Sequence, residues 1–433
     1  MQGQQSRVAF FANRLNLTSS VLHLLSRLLF YLKCVTDVSQ PTHPYPLPHS
    51  YATLETAFDG HHIDPSSYVL LSGNGNRQLA LNIATLLGKN SLGIVPADID
   101  TPPKLANYTR QKKESDIDFP CSEWPDGESK IQLHENVRGR QVIIFDSYHP
   151  NPDARITQTH FMGSTARLAD SDRVSIVTGY FPYARQDRKA APRTGILAAN
   201  VANVFTEQGH ATRLLSMDLH AEQSVAAVVH KGIPWDIVYG SKQIVPAFRS
   251  LNLTDTAIAS PDVGATPRGN KYRRMLDLDD LAIVFKARDI NTGAPDSFAM
   301  IGNVKGMNVV IPDDEVATGT TLEGGGKLVK HDGATVIYAA APHGKFTPDN
   351  QGRTLVDRIH DRESPIDYLV TLDTIELPDR LKEKVIFVDK PSDVGPALQE
   401  KRIAILSAAP IYAVAIMCWL TGDSLSERLI ATQ

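Results

Sequence analysis

Apolar runs of strand length, each closed by charged or glycine-bearing residues, recur along most of this chain and alternate with helix-compatible stretches. They read VIIFD from Val142, VSIVTGY from Val174, RLLSMDL from Arg213, LAIVF from Leu281, VVIPD from Val309, VIYAAA from Val336, YLVTLD from Tyr368 and VIFVD from Val385. Strands this continuously apolar need cover on both faces, which predicts parallel sheets of the doubly wound α/β kind. Helices are expected at Gln78–Leu87, Thr157–Leu168, Ile196–Thr206, near Pro267 and from Leu322. The series occurs twice, and a length of 433 residues suits two or three domains. The expected division is an N-terminal extension over 1–60, an α/β domain over 66–235, a second over 236–405 and a C-terminal helix over 406–433. The extension ends in a Pro-rich linker, Gln40–Ser50, and Gly93–Asp118 reads as a long surface loop.

Lys and Arg number 44 against 48 acids, a net charge of −4, which argues against a nucleic-acid partner. Cys34, Cys121 and Cys418 are too scattered for a disulfide framework or a zinc site. The uncharged stretch Ile403–Leu420 is divided by Pro410 and reads as a buried strand and helix, with no membrane span expected. Met1–Val35 carries Arg7, Arg14, Arg27 and Lys33 and no acid. Such a start fits a transit peptide or an accessory extension, so the expected location is cytoplasmic with mitochondrial as the alternative.

The most informative segment is VVIPDDEVATGTTL, Val309–Leu322. A buried strand delivers adjacent carboxylates, Asp313 and Asp314, to a loop of Thr318, Gly319, Thr320 and Thr321 that opens a helix. Backbone N–H groups at such a turn suit a phosphate, and neighbouring carboxylates suit sugar hydroxyls or a metal ion. The plain alternative is a solvated turn capping a helix. Other strand ends carry Arg185, Gln186, Asp187, Arg188 and Lys189 beside Tyr180, Phe181 and Tyr183. Their cations suit phosphates and their amide and carboxylate suit a sugar or base, or else the run is a solvated face. His220 and Asp262 each follow a strand and could share one hard cation, although a lone His is more often structural. Lys286 and Arg288 end another strand, as a phosphoryl transition state requires. Trp124–Glu128 (WPDGE) offers an aromatic face for a base and two carboxylates, Asp126 and Glu128, for a ribose; alone it is a turn signal.

Taken in order, SGN at Ser72, DGE at Asp126, ENVRG at Glu135, PYARQDRK at Pro182, MDLHAEQ at Met217, SPDVG at Ser260, Lys286-x-Arg288, DD…TGTTL at Asp313, HG at His343 and LSAAP at Leu406 resemble the ribose-phosphate pyrophosphokinases. The resemblance covers roughly residues 66 to 430. It implies two tandem phosphoribosyltransferase-like domains with parallel sheets, the C-terminal helix packing on the first. It implies transfer of the pyrophosphoryl group of ATP to ribose 5-phosphate, with Mg²⁺ as cofactor. By position, Trp124, Asp126, Glu128, Arg185, Gln186, Asp187 and Arg188 would bind ATP, His220 and Asp262 would hold Mg²⁺, and Lys286 and Arg288 would be catalytic. Asp313, Asp314 and Thr318, Gly319, Thr320 and Thr321 would bind ribose 5-phosphate.

The resemblance further implies a homo-oligomer, built from dimers and plausibly hexameric, because Trp124–Glu128 would serve a neighbouring subunit's nucleotide. A hetero-oligomer with related subunits is the alternative assembly. Departures from the family pattern are Ala317 in place of a third Asp, Thr320 in place of Gly, Trp124 in place of Phe, and the run Gly324–Gly326 inside the expected helix. They leave two other readings open: a non-catalytic regulatory subunit, or a diphosphokinase for a different ribosyl phosphate.

Overall fold

The computed structural model describes Leu54, Phe58 and residues 64–88, 117–118, 121–288 and 295–430. Most of the expected extension and of the Gly93–Asp118 loop therefore lies outside the described residues. The first domain runs β1 (Tyr68–Ser72), α1 (Arg77–Leu86), β2 (Ile117–Asp118), β3 (Cys121–Glu123), β4 (Ser129–Ile131), β5 (Gln141–Asp146), α2 (Pro152–Leu168), β6 (Arg173–Thr178), α3 (Leu197–Asn203), β7 (Ala211–Met217) and β8 (Trp235–Val238). Its six strands pair in the order β2-β1-β5-β6-β7-β8, all parallel, while β3 and β4 form a separate antiparallel hairpin. Because β8 spans Trp235–Val238 and belongs to this sheet, the change of sheet follows Val238 and not residue 235.

The second domain continues with α4 (Ser241–Ser250), β9 (Thr256–Ser260), α5 (Thr266–Met275), β10 (Leu281–Arg288), β11 (Pro295–Ile301), β12 (Asn308–Pro312), β13 (Glu315–Val316), α6 (Thr320–His331), β14 (Val336–Gly344), α7 (Leu355–Arg358), β15 (Tyr368–Leu372), β16 (Ile386–Val388), α8 (Val394–Lys401), β17 (Ile403–Leu406) and α9 (Ala409–Thr421). Its sheet runs β11-β10-β9-β12-β14-β15-β17-β16, with β13 on the end of β14. Every pair is parallel except β10 with β11. Both sheets are thus largely parallel, as expected for two tandem α/β domains.

Alternate residues of each strand feed opposite layers. In the first sheet Val69 and Leu71 face α2 and α3, while Leu70, Ile143 and Phe145 face α1 and α9. In the second, Ala257, Val309 and Ile311 face an outer core, while Ile258, Val310 and Ala340 join the same central core as Leu70. One apolar layer therefore serves both sheets. The helix α9 lies within it and against α1, and every residue from Ala409 to Cys418 is buried. Cover on all sides explains why this helix is apolar all round. Among the described residues no helix is long and apolar enough to cross a membrane.

Polar contacts fasten the two domains at their strand ends. The Tyr412 hydroxyl lies 3.1 and 3.0 Å from the Thr178 and Gly179 carbonyls, and Ser147 Oγ donates to Thr374 O at 2.7 Å. Asn76 caps α1 through its Oδ1 and donates from Nδ2 to Asp373 O at 2.7 Å. The SGN turn ahead of it needs glycine: a Cβ on Gly73 would fall 2.1 Å from Asp146 Oδ2, and one on Gly75 1.7 Å from Ser147 O.

Candidate active site

Ligands of open α/β sheets bind beyond the carboxyl ends of the strands, and the charged residues singled out in the sequence stand there. Asp313 and Asp314 follow β12, His220 follows β7, Arg185–Arg188 follow β6 and Asp262 follows β9. Lys286 and Arg288 end β10, and their side chains lie outside what the structure describes.

The centre is a four-residue cluster. His220 Nδ1 lies 2.5 Å from Asp314 Oδ2, joining a first-domain loop to a second-domain strand end. Arg268, on α5, donates from Nη1 to Asp313 Oδ1 at 3.0 Å and lies 3.5 Å from Asp314 Oδ1. Both carboxylates are largely buried, at 15% and 9% side-chain exposure, so they must be compensated or neutral. Burial works against ionisation of Asp314, but the His220 hydrogen bond and the Arg268 charge outweigh it and hold Asp314 well below the usual carboxylate range. Burial and then the Asp314 charge push Asp313 up. Its hydrogen bond to Asp314 pushes His220 up.

The loop that follows is rigidly built. Gly319 sits in the left-handed region at φ 83° and its Cβ would fall 2.9 Å from Leu355 Cβ, so only glycine fits before α6. Arg358 staples this turn. Its Nη2 donates to Thr318 O, its Nε donates to Glu323 Oε1 at 2.8 Å, and its Nη1 donates to Asp349 Oδ2 at 2.8 Å. Thr318 and Thr320 hydroxyls lie 3.2 Å apart at the first turn of the helix. The helix starts at Thr320, two residues before the expected Leu322.

Arg185 forms an ion pair with Glu315, and Lys345 Nζ reaches the same carboxylate at 2.9 Å. Beyond Arg185, Asp187 Oδ1 lies 3.4 Å from Arg188 Nε and Asp187 Oδ2 accepts from Gln223 at 3.0 Å. The Gln186 backbone closes a turn onto Tyr183 O at 2.8 Å. Trp124–Glu128 forms the tip of the β3–β4 hairpin, with Gly127 N donating to Trp124 O at 2.9 Å and Trp124 46% exposed. Asp262 Oδ1 accepts from Ala265 N at 2.9 Å and so closes its own turn; among the described residues no hydrogen bond or ion pair joins it to His220. The sequence reading missed Arg268, Glu315, Lys345 and Arg358. Glu315 was open to view beside the Asp pair. Arg268 and Arg358 reach the site from helices, where sequence spacing gives no direction toward a strand end.

Among the described residues no group of three or more His, Cys, Asp or Glu is placed to hold a metal ion. Mg²⁺ does not require one, since it takes one or two carboxylates and otherwise substrate phosphates and water. A neutral His220 with its proton on Nδ1 toward Asp314 offers Nε2 as a lone pair, the way a carboxylate orients a metal-binding imidazole. Of these donors the carboxylates are the kind Mg²⁺ takes, and the imidazole is the softer one.

A family model described as the N-terminal domain of ribose phosphate pyrophosphokinase matches residues 68–209, and one described as a phosphoribosyl transferase domain matches 242–385. The ribose-phosphate pyrophosphokinase of Nostoc sp. is 34% identical over 279 residues, 64% of this chain and 76% of that protein. The chain belongs to the ribose-phosphate pyrophosphokinase family. It is a pyrophosphoryl-transferring enzyme of that family. The Chlorobaculum tepidum pyrophosphokinase is 35% identical over 275 residues, 63% of this chain and 75% of that protein. The fold is shared with the phosphoribosylpyrophosphate synthetase from Mycobacterium smegmatis, at a TM-score of 0.63 and 22% identity, covering 82% of this chain and 99% of that one.

Proposed function

We propose that this pyrophosphokinase transfers the β,γ-pyrophosphoryl group of ATP to the anomeric hydroxyl of ribose 5-phosphate, giving phosphoribosyl pyrophosphate and AMP for nucleotide biosynthesis. The observation that carries the reading is the paired carboxylate Asp313–Asp314, clamped by Arg268, met by His220 from the other domain, and followed directly by the Thr318–Thr321 turn. The two carboxylates accept from the ribose hydroxyls. The N–H groups and hydroxyls opening α6 take the 5-phosphate, favoured by the helix dipole. Arg185, Gln186, Asp187 and Arg188 hold the triphosphate and nucleoside. Trp124, Asp126 and Glu128 hold the base and ribose of a neighbouring subunit's nucleotide, for which an exposed hairpin tip is suited. The assembly is accordingly a homo-oligomer with a dimer as its smallest unit.

His220 and Asp262 would hold Mg²⁺, which neutralises phosphate charge when bound. Lys286 and Arg288 stabilise the charge that develops on the transferring group, and catalysis rests on positioning and electrostatics. The enzyme is assigned to the cytoplasm, with mitochondrial import through the acid-poor Met1–Val35 segment as the alternative. Incubation of the purified protein with ATP, ribose 5-phosphate and Mg²⁺ tests the reaction through release of AMP.

A further inference from the structure

Asp314 stands at a bend and Glu315 opens β13, and the two side chains have different partners. Asp314 meets His220. Glu315 pairs instead with Arg185, from the loop after β6, and with Lys345. Its carboxylate is 3% exposed and is paired with both Arg185 and Lys345. Lys345 Nζ also lies 4.3 Å over the Tyr180 ring. Tyr180 and Arg185 belong to the first domain; Glu315 and Lys345 belong to the second. No role assigned above uses Glu315, Lys345 or Tyr180.

The orientation of Arg185 is the informative part. Glu315 engages the guanidinium at Nε, on the edge nearest the chain. The Arg185 side chain is 53% exposed, so its guanidinium, a group that grips phosphate oxygens in pairs, stays open to a ligand while it is paired with Glu315. Lys345, 14% exposed, holds the second carboxylate oxygen at 2.9 Å, so Glu315 has an anchor within its own domain besides Arg185. We infer that Glu315 is a positioning residue for the nucleotide: anchored by Lys345, it holds the Arg185 guanidinium in place for the triphosphate across the domain boundary.

This rests on the proposed use of ATP, and the test separates the two. Steady-state kinetics of wild type, Glu315→Gln, Arg185→Ala and the double variant are compared, with the thermal midpoint of each. The expected result is a KM for ATP raised at least about fivefold in Glu315→Gln, with kcat and the KM for ribose 5-phosphate within about twofold. A residue acting through Arg185 also gives strong non-additivity, so Glu315→Gln should add little in the Arg185→Ala background. Glu315→Asp keeps the charge and covers a failure of the Gln variant to fold; it should raise the KM for ATP by a smaller factor. Wild type that releases no AMP defeats the proposed reaction. Active wild type with an unchanged KM for ATP in the folded Glu315 variants, or with effects that multiply in the double variant, defeats the inference alone.

Discussion

Asp146 illustrates how a single buried group sets a pH response. It is fully buried at the end of β5, and burial raises its pKa to about 6. Its Oδ1 accepts from Gly75 N at 2.8 Å and Ser147 N at 2.9 Å, and Thr159 Oγ1 lies 3.3 Å from Oδ2. The folded state therefore binds the proton more tightly than the unfolded chain. Stability is undiminished below the ordinary value of 3.8, falls as pH rises to about 6, and carries a constant penalty beyond. An Asn would keep the Oδ1 acceptor and present an amide to the Thr159 hydroxyl. Asp146→Asn should thus raise the thermal midpoint at pH 7.5 by an amount equivalent to about 1–3 kcal/mol and leave it unchanged near pH 3.5. Equal shifts at both pH values would contradict this. At the end of β10, on the proposed roles, Lys286→Ala and Arg288→Ala should each lower kcat by roughly 10²–10³ with ATP binding nearly intact. A rise in KM alone would mean that these cations bind and do not catalyse.

Among the elements, α6 forms over Thr320–His331 despite three consecutive glycines, each costing about 1 kcal/mol of helix propensity. The packing accounts for one of them. A Cβ on Gly326 would fall 2.8 Å from Ile366 Cδ1, whereas one on Gly325 would stand 3.4 Å from Pro261 Cα, an ordinary contact. Gly326→Ala is expected to lower stability by about 1–2 kcal/mol through overpacking, and Gly325→Ala to raise it by up to about 1 kcal/mol. Differential scanning calorimetry of the two variants would show shifts of opposite sign; a rise for both would mean that Ile366 yields without cost.

The same scale shows what the sequence makes legible. The apolar runs closed by charge or glycine became β5, β6, β7, β10, β12, β14, β15 and β16, because strands this apolar have no polar alternation to confuse. The edge strands β2, β8 and β11 were missed: PDSFAMI opens with Pro and Asp, which an edge tolerates and a central strand does not. The candidate site was legible where a strand end spells it, as at Asp313, Asp314, His220 and Arg185. It was illegible where a helix supplies it, as with Arg268 and Arg358, since only the packing of the helix on the sheet sets that direction.

At the scale of the molecule, the first 60 residues read from sequence as dispensable for folding and catalysis. Two of them alter that expectation: Leu54 and Phe58 are buried at 0% and 1% exposure in the core shared by both sheets, and Arg428 stacks 4.7 Å from the Phe58 ring. Leu54→Ala and Phe58→Ala should each cost about 2–5 kcal/mol, measured by chemical denaturation. A chain beginning at residue 61 should be correspondingly less stable; unchanged stability would show that the shared core closes without them. That shared core also binds the two domains' strand ends into one site, where His220 of the first meets Asp314 of the second. The most direct test of the account is therefore the reaction itself. Purified protein with ribose 5-phosphate, Mg²⁺ and ATP labelled at the β-phosphorus, with and without inorganic phosphate, should yield AMP and labelled phosphoribosyl pyrophosphate in equal amounts. Absence of AMP under both conditions, or ADP as the nucleotide product, would contradict it.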